Sequence, residues 1–265
     1  MNKPTDQAGT MLLATNGTEL AVRVDGSGPP LMLLHGWPHT GRIWARVRPP
    51  GRRIIVPDLR GLGDSAEADD GFDAATAADD LFGVLDHLGA GPVELAAIDA
   101  SVPTAVLMAL RQPERISRLV VMEGTLPGLP GGFPAPPWWF GFHAVPDLPE
   151  TLIAGRENEY LGWFLRSIDD PRLRTSLIDA YRGRARLAAG FGFYRAMGRT
   201  AELLQAALAD TRLRVPTVAL GGDVVGQRLY HQLEPITETL SGELLERCGH
   251  IVPLDRPDAL NRLLA

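Results

Sequence analysis

The sequence predicts an α/β fold in which a largely parallel sheet is covered by helices on both faces and carries an inserted helical segment. Three observations predict this architecture. Short apolar stretches of strand length alternate with helical periodicity over the first half of the 265-residue chain. The alternation stops after Glu123 and resumes at Val215. The segment between these two points has helical, aromatic-rich stretches and no clear strand.

The first strands follow from turn chemistry and from compact apolar runs. Residues 11–13 and 19–24 flank Asn16-Gly17, a dipeptide typical of tight β-hairpins. Apolar strands follow at residues 30–34 and 53–57. We therefore expect the sheet to begin with a hairpin.

The next elements alternate between helix and strand. Residues 74–88 carry apolar side chains at helical spacing and stop at Gly89, a residue that favours a helix end. A short buried strand is predicted at 92–98, a helix at 102–111 and another strand at 118–122. This order is that of parallel strands joined by covering helices.

The second half of the chain divides into an insertion and a return to the sheet. Residues 127–137 are dense in Gly and Pro, and the strand pattern resumes at 215–220. A last strand at 243–246 and a closing helix at 257–264 complete the pattern. We expect a discontinuous core, residues 1–126 and 213–265, with a helical cap at residues 127–212.

Charge and composition narrow the expected partners and location. The net charge of −6 and the scattered basic residues make nucleic acid and membranes poor candidates. The single cysteine, Cys248, excludes an internal disulfide and fits a reducing compartment. Neither a signal-peptide pattern nor a segment long enough to span a bilayer is evident, so we expect a cytoplasmic protein. The oligomeric state is left open, with a homodimer as one alternative.

Asp99 is the candidate nucleophile. It stands at the centre of Ala97-Ile98-Asp99-Ala100-Ser101, between the predicted strand and helix. A strand, a tight turn with small flanking residues and a helix together describe a nucleophile elbow. The neighbours must be small because larger side chains would collide in so strained a turn. A carboxylate here favours attack on a saturated carbon, followed by hydrolysis of the ester by water.

His250 is the candidate base that activates this water. It follows a predicted strand, at the carboxyl edge of the sheet where α/β active sites assemble. It also comes late in the chain, in the order nucleophile, acid, histidine. The acid that orients the imidazole is less determined. Glu123 and Asp223 both end or follow a strand at the same edge, and both remain candidates.

Several motifs match a known family in order and spacing. They are His35-Gly36-Trp37-Pro38, Asp58-Leu59-Arg60-Gly61-Leu62-Gly63-Asp64-Ser65, and Gly249-His250-Ile251-Val252-Pro253-Leu254 with Arg256-Pro257. With the aspartate elbow they resemble the α/β-hydrolase fold family, and within it the branch of epoxide hydrolases and haloalkane dehalogenases that use an aspartate nucleophile. The resemblance implies a small-molecule substrate and no metal or organic cofactor.

The resemblance also bears on the acid. The stretch at residues 122–128 is similar to one found in a subset of epoxide hydrolases that use this earlier acid. In the more common arrangement the acid lies in the loop after the next strand. Alignment puts Val224 at that position, one residue from Asp223. We therefore favour Glu123 and keep Asp223 as the alternative.

An oxyanion hole is a further implication of the resemblance. Its two backbone N–H groups would come from Trp37 and Ala100. In aspartate enzymes these groups hold a carboxylate oxygen and stabilise the tetrahedral intermediate of the second step. The side chains that we expect to contact substrate are those of Trp138, Phe140 and His35.

Ring opening of an epoxide also needs a donor to the oxygen. Residues 191–196 resemble the cap motif that carries a donor tyrosine, which makes Tyr194 the candidate acid. Trp139 replaces the histidine that related sequences place at the partner position. Because an indole N–H donates a hydrogen bond but no proton at ordinary pH, Trp139 would support the oxygen without protonating it.

Departures from the family pattern separate the alternatives. Haloalkane dehalogenases carry a tryptophan directly after the nucleophile, and haloacetate dehalogenases carry arginines one and four positions after it. Here Ala100 and Pro103 occupy those positions. We therefore predict an epoxide hydrolase, with a haloalkane or haloacetate dehalogenase as one alternative and a non-catalytic ligand-binding protein as another. The small side chain of Ala100 favours a bulky natural-product epoxide.

Overall fold

The computed structural model describes residues 9–265. Its centre is an eight-stranded sheet in the order β1-β2-β4-β3-β5-β6-β7-β8. The pairs β1–β2 and β2–β4 are antiparallel, and all other pairs are parallel. The strands are β1 (Thr10–Thr15), β2 (Thr18–Asp25), β3 (Pro30–Leu34), β4 (Arg53–Pro57), β5 (Val93–Ile98), β6 (Ile116–Met122), β7 (Thr217–Gly221) and β8 (Leu240–Leu244).

Eleven α-helices accompany this sheet within the described residues. They are α1 (Ala74–His87), α2 (Val102–Arg111), α3 (Trp138–Ala144), α4 (Leu148–Ile153), α5 (Glu157–Phe164), α6 (Pro171–Asp179), α7 (Arg184–Arg195), α8 (Met197–Leu208), α9 (Arg228–Leu233), α10 (Val252–Asp255) and α11 (Pro257–Leu263). The mostly parallel sheet with its helices confirms the predicted α/β fold class.

The N-terminal hairpin forms at the predicted dipeptide. Asn16 and Gly17 both have positive φ, 42° and 76°, and Thr15 pairs with Thr18 across the turn. A two-residue turn with positive φ at both positions matches the right-handed twist of the paired strands. Asn and Gly are the residues that tolerate this conformation best, so the local sequence dictates the turn.

The central strands form the most deeply buried layer of the core. Every residue of β5 is buried, and β3, β4 and β6 are buried over most of their length. Such continuous apolar runs are typical of parallel strands covered on both faces. Helix α1 packs against α2 and β1, and α9 packs against β7. Because β5 is buried up to its last residue, Ile98, the turn that follows begins at Asp99.

The last strand begins three residues earlier and ends two residues earlier than the sequence predicts. We expected it at 243–246, but β8 spans Leu240–Leu244 and pairs in parallel with β7. As an edge strand it is mostly exposed, so its side chains do not carry the apolar pattern on which the prediction depended. Its register is set by β7 rather than by its own composition.

The segment between β6 and β7 is helical, as expected. It contains α3 to α8, and no strand lies between Met122 and Thr217 in the described chain. Helices α3 and α4 pack against α7, while α8 packs against α1 and α2. The division into a core at 1–126 and 213–265 and a cap at 127–212 stays a prediction. Over residues 9–265, none of the helices has both the length and the apolar character required to cross a membrane.

Candidate active site

Asp99 lies at the tip of a sharp turn between β5 and α2. Its φ is 58°, a left-handed conformation that a non-glycine residue rarely adopts. Gly36 and Gly124 pack so closely against Asp99 that a Cβ on either would collide with it. Strain at this point is tolerated because the buried strand β5 and helix α2 hold both ends of the turn. The conformation is that of a nucleophile elbow.

Both oxygens of the Asp99 carboxylate have defined partners. The backbone N–H of Trp37 donates to Oδ1 at 2.8 Å, and Nε2 of His250 lies 3.2 Å from Oδ2. Burial alone would raise the pKa of Asp99, but the hydrogen bond and charge of His250 outweigh it and lower the pKa. Asp99 is therefore ionised at neutral pH, as a nucleophile must be.

His250 lies between two carboxylates. Its Nδ1 is 3.2 Å from Oε2 of Glu123, and its Nε2 faces Asp99. Burial alone would lower the pKa of His250, but the hydrogen bonds to Asp99 and Glu123 raise it to about 10. In the resting protein the imidazole is therefore protonated at neutral pH.

Glu123 is fully buried at the end of β6 and is held by the loop that follows β7. Its carboxylate accepts N–H bonds from Gly222 at 2.5 Å, Val225 at 3.1 Å and Gly226 at 3.4 Å. These donors fix the orientation of the carboxylate toward the imidazole.

The alternative acid lies elsewhere. The side chain of Asp223 is exposed, and the backbone N–H of Asp223 donates to the carbonyl of Cys248 at 2.8 Å. The structure therefore brings Asp99, His250 and Glu123 together, whereas Asp223 makes no hydrogen bond to the imidazole within the described chain.

A cavity of about 410 Å³ opens above these three residues. Its wall is largely apolar, with aromatic side chains contributed by the helical segment. Trp139 and Phe140 enter it from α3, and Tyr194 enters it from α7. The half-buried Ala100 lines it directly beside Asp99. Within residues 9–265, no group of three or more His, Cys, Asp or Glu side chains is arranged to hold a metal ion.

Tyr194 has the environment of a hydrogen donor. Its ring packs against Phe140 and Trp37, with centroids 5.2 and 5.5 Å away. Burial and the negative charge of Asp99 raise its pKa well above the ordinary value, while a hydrogen bond with Trp139 acts in the opposite direction. The phenol therefore keeps its proton at neutral pH and faces the cavity as an O–H donor.

Two of the predicted substrate contacts, His35 and Trp138, lie outside the cavity lining. His35 is fully buried outside the cavity lining, where Nε2 accepts the N–H of Leu59 at 3.1 Å and Nδ1–H donates to the carbonyl of Gly36 at 2.9 Å. It fixes the backbone beside the site instead. Trp138 is 57% exposed and also outside the lining. Successive helical residues point about 100° apart, so Trp139 faces inward and Trp138 faces solvent.

Sequence reasoning missed two buried histidines. His39 lines the cavity, and its ring centroid is 6.1 Å from that of His250. His143 stacks on Phe191, and its Nε2 lies 2.6 Å from the hydroxyl of Tyr160. Neither belongs to a spaced pattern that distinguishes it from an ordinary surface histidine. For His39 the usable signal was its position two residues after Trp37.

Comparisons with known proteins agree with this geometry. The sequence pattern of the α/β-hydrolase fold family matches residues 29–169. The chain is 31% identical to a soluble epoxide hydrolase of Corynebacterium sp. (strain C12) over 263 residues, which covers 91% of this chain and 91% of that protein.

Solved structures extend the likeness to the whole fold. Cfl2 from Burkholderia cenocepacia superposes with a TM-score of 0.90 at 32% identity, over 96% of this chain and 94% of that one. The epoxide hydrolase CorEH, solved without ligand, gives a TM-score of 0.87 at 27% identity, over 96% of each chain. The chain is thus a hydrolase that belongs to the α/β-hydrolase fold family, in the branch of the epoxide hydrolases.

Proposed function

We propose that this protein is an epoxide hydrolase, which opens an epoxide to a vicinal diol through an ester formed on Asp99. The observation that carries the proposal is the position of His250 between Asp99 and Glu123, 3.2 Å from each carboxylate. A carboxylate nucleophile paired with an imidazole at an elbow suits displacement at saturated carbon followed by ester hydrolysis. The relationship to a soluble epoxide hydrolase supports the same reaction.

In the first step the Asp99 carboxylate attacks one epoxide carbon. The C–O bond of the ring breaks, and its electron pair moves onto the epoxide oxygen. Tyr194 donates its phenolic proton to that oxygen, and the indole N–H of Trp139 supports it by a hydrogen bond. The products of this step are a hydroxyalkyl ester on Asp99 and a phenolate on Tyr194.

Esterification changes the state of His250. The ester carries no charge, so His250 loses one of the two anions that raise its pKa. Its proton then leaves and restores the phenol of Tyr194 by way of solvent. The imidazole becomes a neutral base, held in place by Glu123.

In the second step His250 takes a proton from water, and the water oxygen bonds to the ester carbon. The negative charge that develops on the carbonyl oxygen is stabilised by the N–H groups of Trp37 and Ala100. Collapse expels the glycol oxygen, which takes the proton from His250 to give the diol. The acid left on Asp99 then returns the imidazole to its protonated state.

A bulky substrate is the finer part of the proposal. Beside the nucleophile the chain has only the methyl group of Ala100, and the cavity of about 410 Å³ is walled mostly by apolar side chains. We expect a polycyclic epoxide to have a higher kcat/KM than styrene oxide. In A100L that preference should shrink while turnover of styrene oxide changes little. Turnover of small epoxides alone would contradict the bulky substrate.

The residues beside Asp99 do not support a dehalogenase activity. Ala100 and Pro103 line the cavity where haloalkane and haloacetate dehalogenases carry tryptophan or arginine. Release of halide from haloalkanes or haloacetate at a rate above epoxide turnover would favour a dehalogenase. A non-catalytic role is disfavoured because the strained Asp99 is retained with both of its partners.

Trapping of the ester tests the proposed function. His250→Gln removes the base but leaves the nucleophile, so incubation with styrene oxide should raise the intact mass of the protein by that of one epoxide. Peptide mapping should locate the added mass on Asp99. Asp99→Ala should show no adduct, and His231→Gln, a matched change at an exposed histidine, should turn over without accumulating one. Normal turnover by Asp99→Ala would exclude the mechanism.

A further inference from the structure

His39 lines the cavity near Asp99 and His250, yet neither ester formation nor ester hydrolysis as described assigns it a role. It follows β3 on the same loop as Trp37 and is only 1% exposed. The backbone of His39 is fixed on both sides, since its N–H donates to the carbonyl of Gly36 at 3.1 Å and its carbonyl accepts the hydroxyl of Tyr181 at 3.0 Å. These bonds hold the backbone of His39 in place beside the reacting groups, and the buried ring lines the cavity there.

One polar atom of this ring is not satisfied by the described protein. Nδ1 of His39 is buried and has no hydrogen-bond partner among residues 9–265. A buried polar nitrogen left without a partner costs about 1–3 kcal/mol, so a retained one needs a reason. A water in the polar end of a cavity is the ordinary partner of such a group.

The two imidazoles at this end are spaced for one shared water. The ring centroids of His39 and His250 are 6.1 Å apart, with the planes tilted by 36°. Two hydrogen bonds of about 2.9 Å that meet at one oxygen bring their nitrogens to within about 5 Å of each other, a separation that ring nitrogens of two imidazoles at this centroid distance can reach. Nε2 of His250 also faces Asp99, so a water between the rings lies next to the carbon that it must attack.

We propose that His39, together with His250, holds the water that hydrolyses the ester on Asp99. This inference rests on the proposed function and assigns a second partner to its hydrolytic water. His250 takes one proton of the water, and an unprotonated nitrogen of His39 accepts the hydrogen bond of the other. One of the two lone pairs of the oxygen then points at the carbonyl carbon of the ester.

The protonation state of His39 agrees with this role. Burial lowers the pKa of His39 to about 3, with Asp99 opposing and His250 adding to the effect. The ring is therefore neutral at ordinary pH and always offers one acceptor nitrogen. His39 undergoes no net change in protonation during the reaction. His250 exchanges protons during the reaction because its pKa responds to its carboxylate partners, whereas His39 stays neutral and only positions the water.

The test separates ester formation from ester hydrolysis in single-turnover reactions with styrene oxide. In His39→Leu we expect ester formation to stay within about threefold of the parent enzyme, and hydrolysis to slow by about tenfold or more, as loss of one hydrogen bond to a reacting group implies. The ester should then accumulate at steady state, so kcat and KM fall together and kcat/KM stays nearly constant. His39→Gln keeps an acceptor and should restore most of the hydrolysis rate.

Controls distinguish this role from a structural one. His231→Leu makes the same substitution at an exposed histidine and should change neither step. If leucine prevents folding, His39→Phe keeps the ring shape without the nitrogens and should give the same result. A parallel loss of ester formation and hydrolysis, or unchanged hydrolysis in both variants, would overturn the role of His39. If His250→Gln forms the ester on Asp99 while His39→Leu hydrolyses that ester at the normal rate, only the role of His39 fails. If neither variant forms an ester, the proposed function fails together with the role of His39.

Discussion

Oε2 of Glu123 lies 3.2 Å from Nδ1 of His250, although the two residues are 127 positions apart in the chain. The contact depends on the parallel neighbours β6 and β7, because Glu123 directly follows β6 and the loop after β7 donates N–H bonds to its carboxylate. The acid that orients the imidazole is thus itself oriented by backbone from a neighbouring strand.

Glu123→Gln should slow hydrolysis of the Asp99 ester by roughly 100-fold or more, because the amide orients the imidazole without stabilising its charge. Ester formation should be affected less. Asp223→Asn is the matched control. Because the side chain of Asp223 is exposed, both rates in this variant should stay near those of the parent. Rapid-quench measurement of both steps checks this. A large loss in the Asp223 variant with a small one in the Glu123 variant would reverse the assignment.

The protonation of His250 should depend on the charge of Asp99. In the parent protein the imidazole resonances should titrate with a pKa of about 10, since two carboxylates favour the charged form. Asp99→Ala removes one of them and should lower the pKa of His250. NMR titration of the ring protons measures both values. An equal pKa in the two proteins would contradict the ion pair.

The raised pKa of His250 should also make the free energy of unfolding depend on pH. The folded-state pKa of His250, about 10, is above its ordinary value of 6.5. The group therefore binds protons more tightly when the protein is folded, and its contribution is fully present below pH 6.5 and lost as pH rises to 10. The difference in unfolding free energy between the parent and His250→Gln should shrink across that range. Urea denaturation at several pH values measures it, and a difference that grows with pH would be inconsistent.

Tyr194→Phe should slow ester formation by roughly 100-fold, because it removes the proton donor to the epoxide oxygen and retains the ring. Hydrolysis of an ester already formed should change little. Tyr230→Phe makes the same change outside the cavity lining and should be neutral. Stopped-flow measurement of the single-turnover ester formation rate distinguishes the two. Full activity of the Tyr194 variant would exclude it as the donor.

Trp139→Phe should lower kcat/KM for epoxide, since it removes the indole N–H that we propose supports the epoxide oxygen. The adjacent Trp138→Phe should have no effect, because that side chain is 57% exposed and outside the cavity. Steady-state kinetics of the pair provide the comparison. An equal loss in both variants would indicate that the aromatic cluster acts through packing alone.

The sequence by itself determined the features that arise from local interactions. Strands β3 and β4 and helix α2 have the predicted bounds, and the hairpin turns at Asn16. The elbow at Asp99 was predictable for the same reason, since a buried strand, small residues and a helix must all occur within a few positions. The family resemblance supplied Glu123 as the favoured acid, and the structure places Glu123 beside the imidazole.

Only the tertiary structure decided the features that depend on which side of an element faces the cavity. Trp138 and Trp139 are adjacent and chemically identical, yet one faces solvent and the other lines the cavity. His35 and His39 lie on one loop, yet only His39 lines the cavity. The edge strand β8 likewise takes its register from its neighbour. Packing against elements distant in sequence decides each of these orientations, and the residue pattern around each position does not by itself specify that packing.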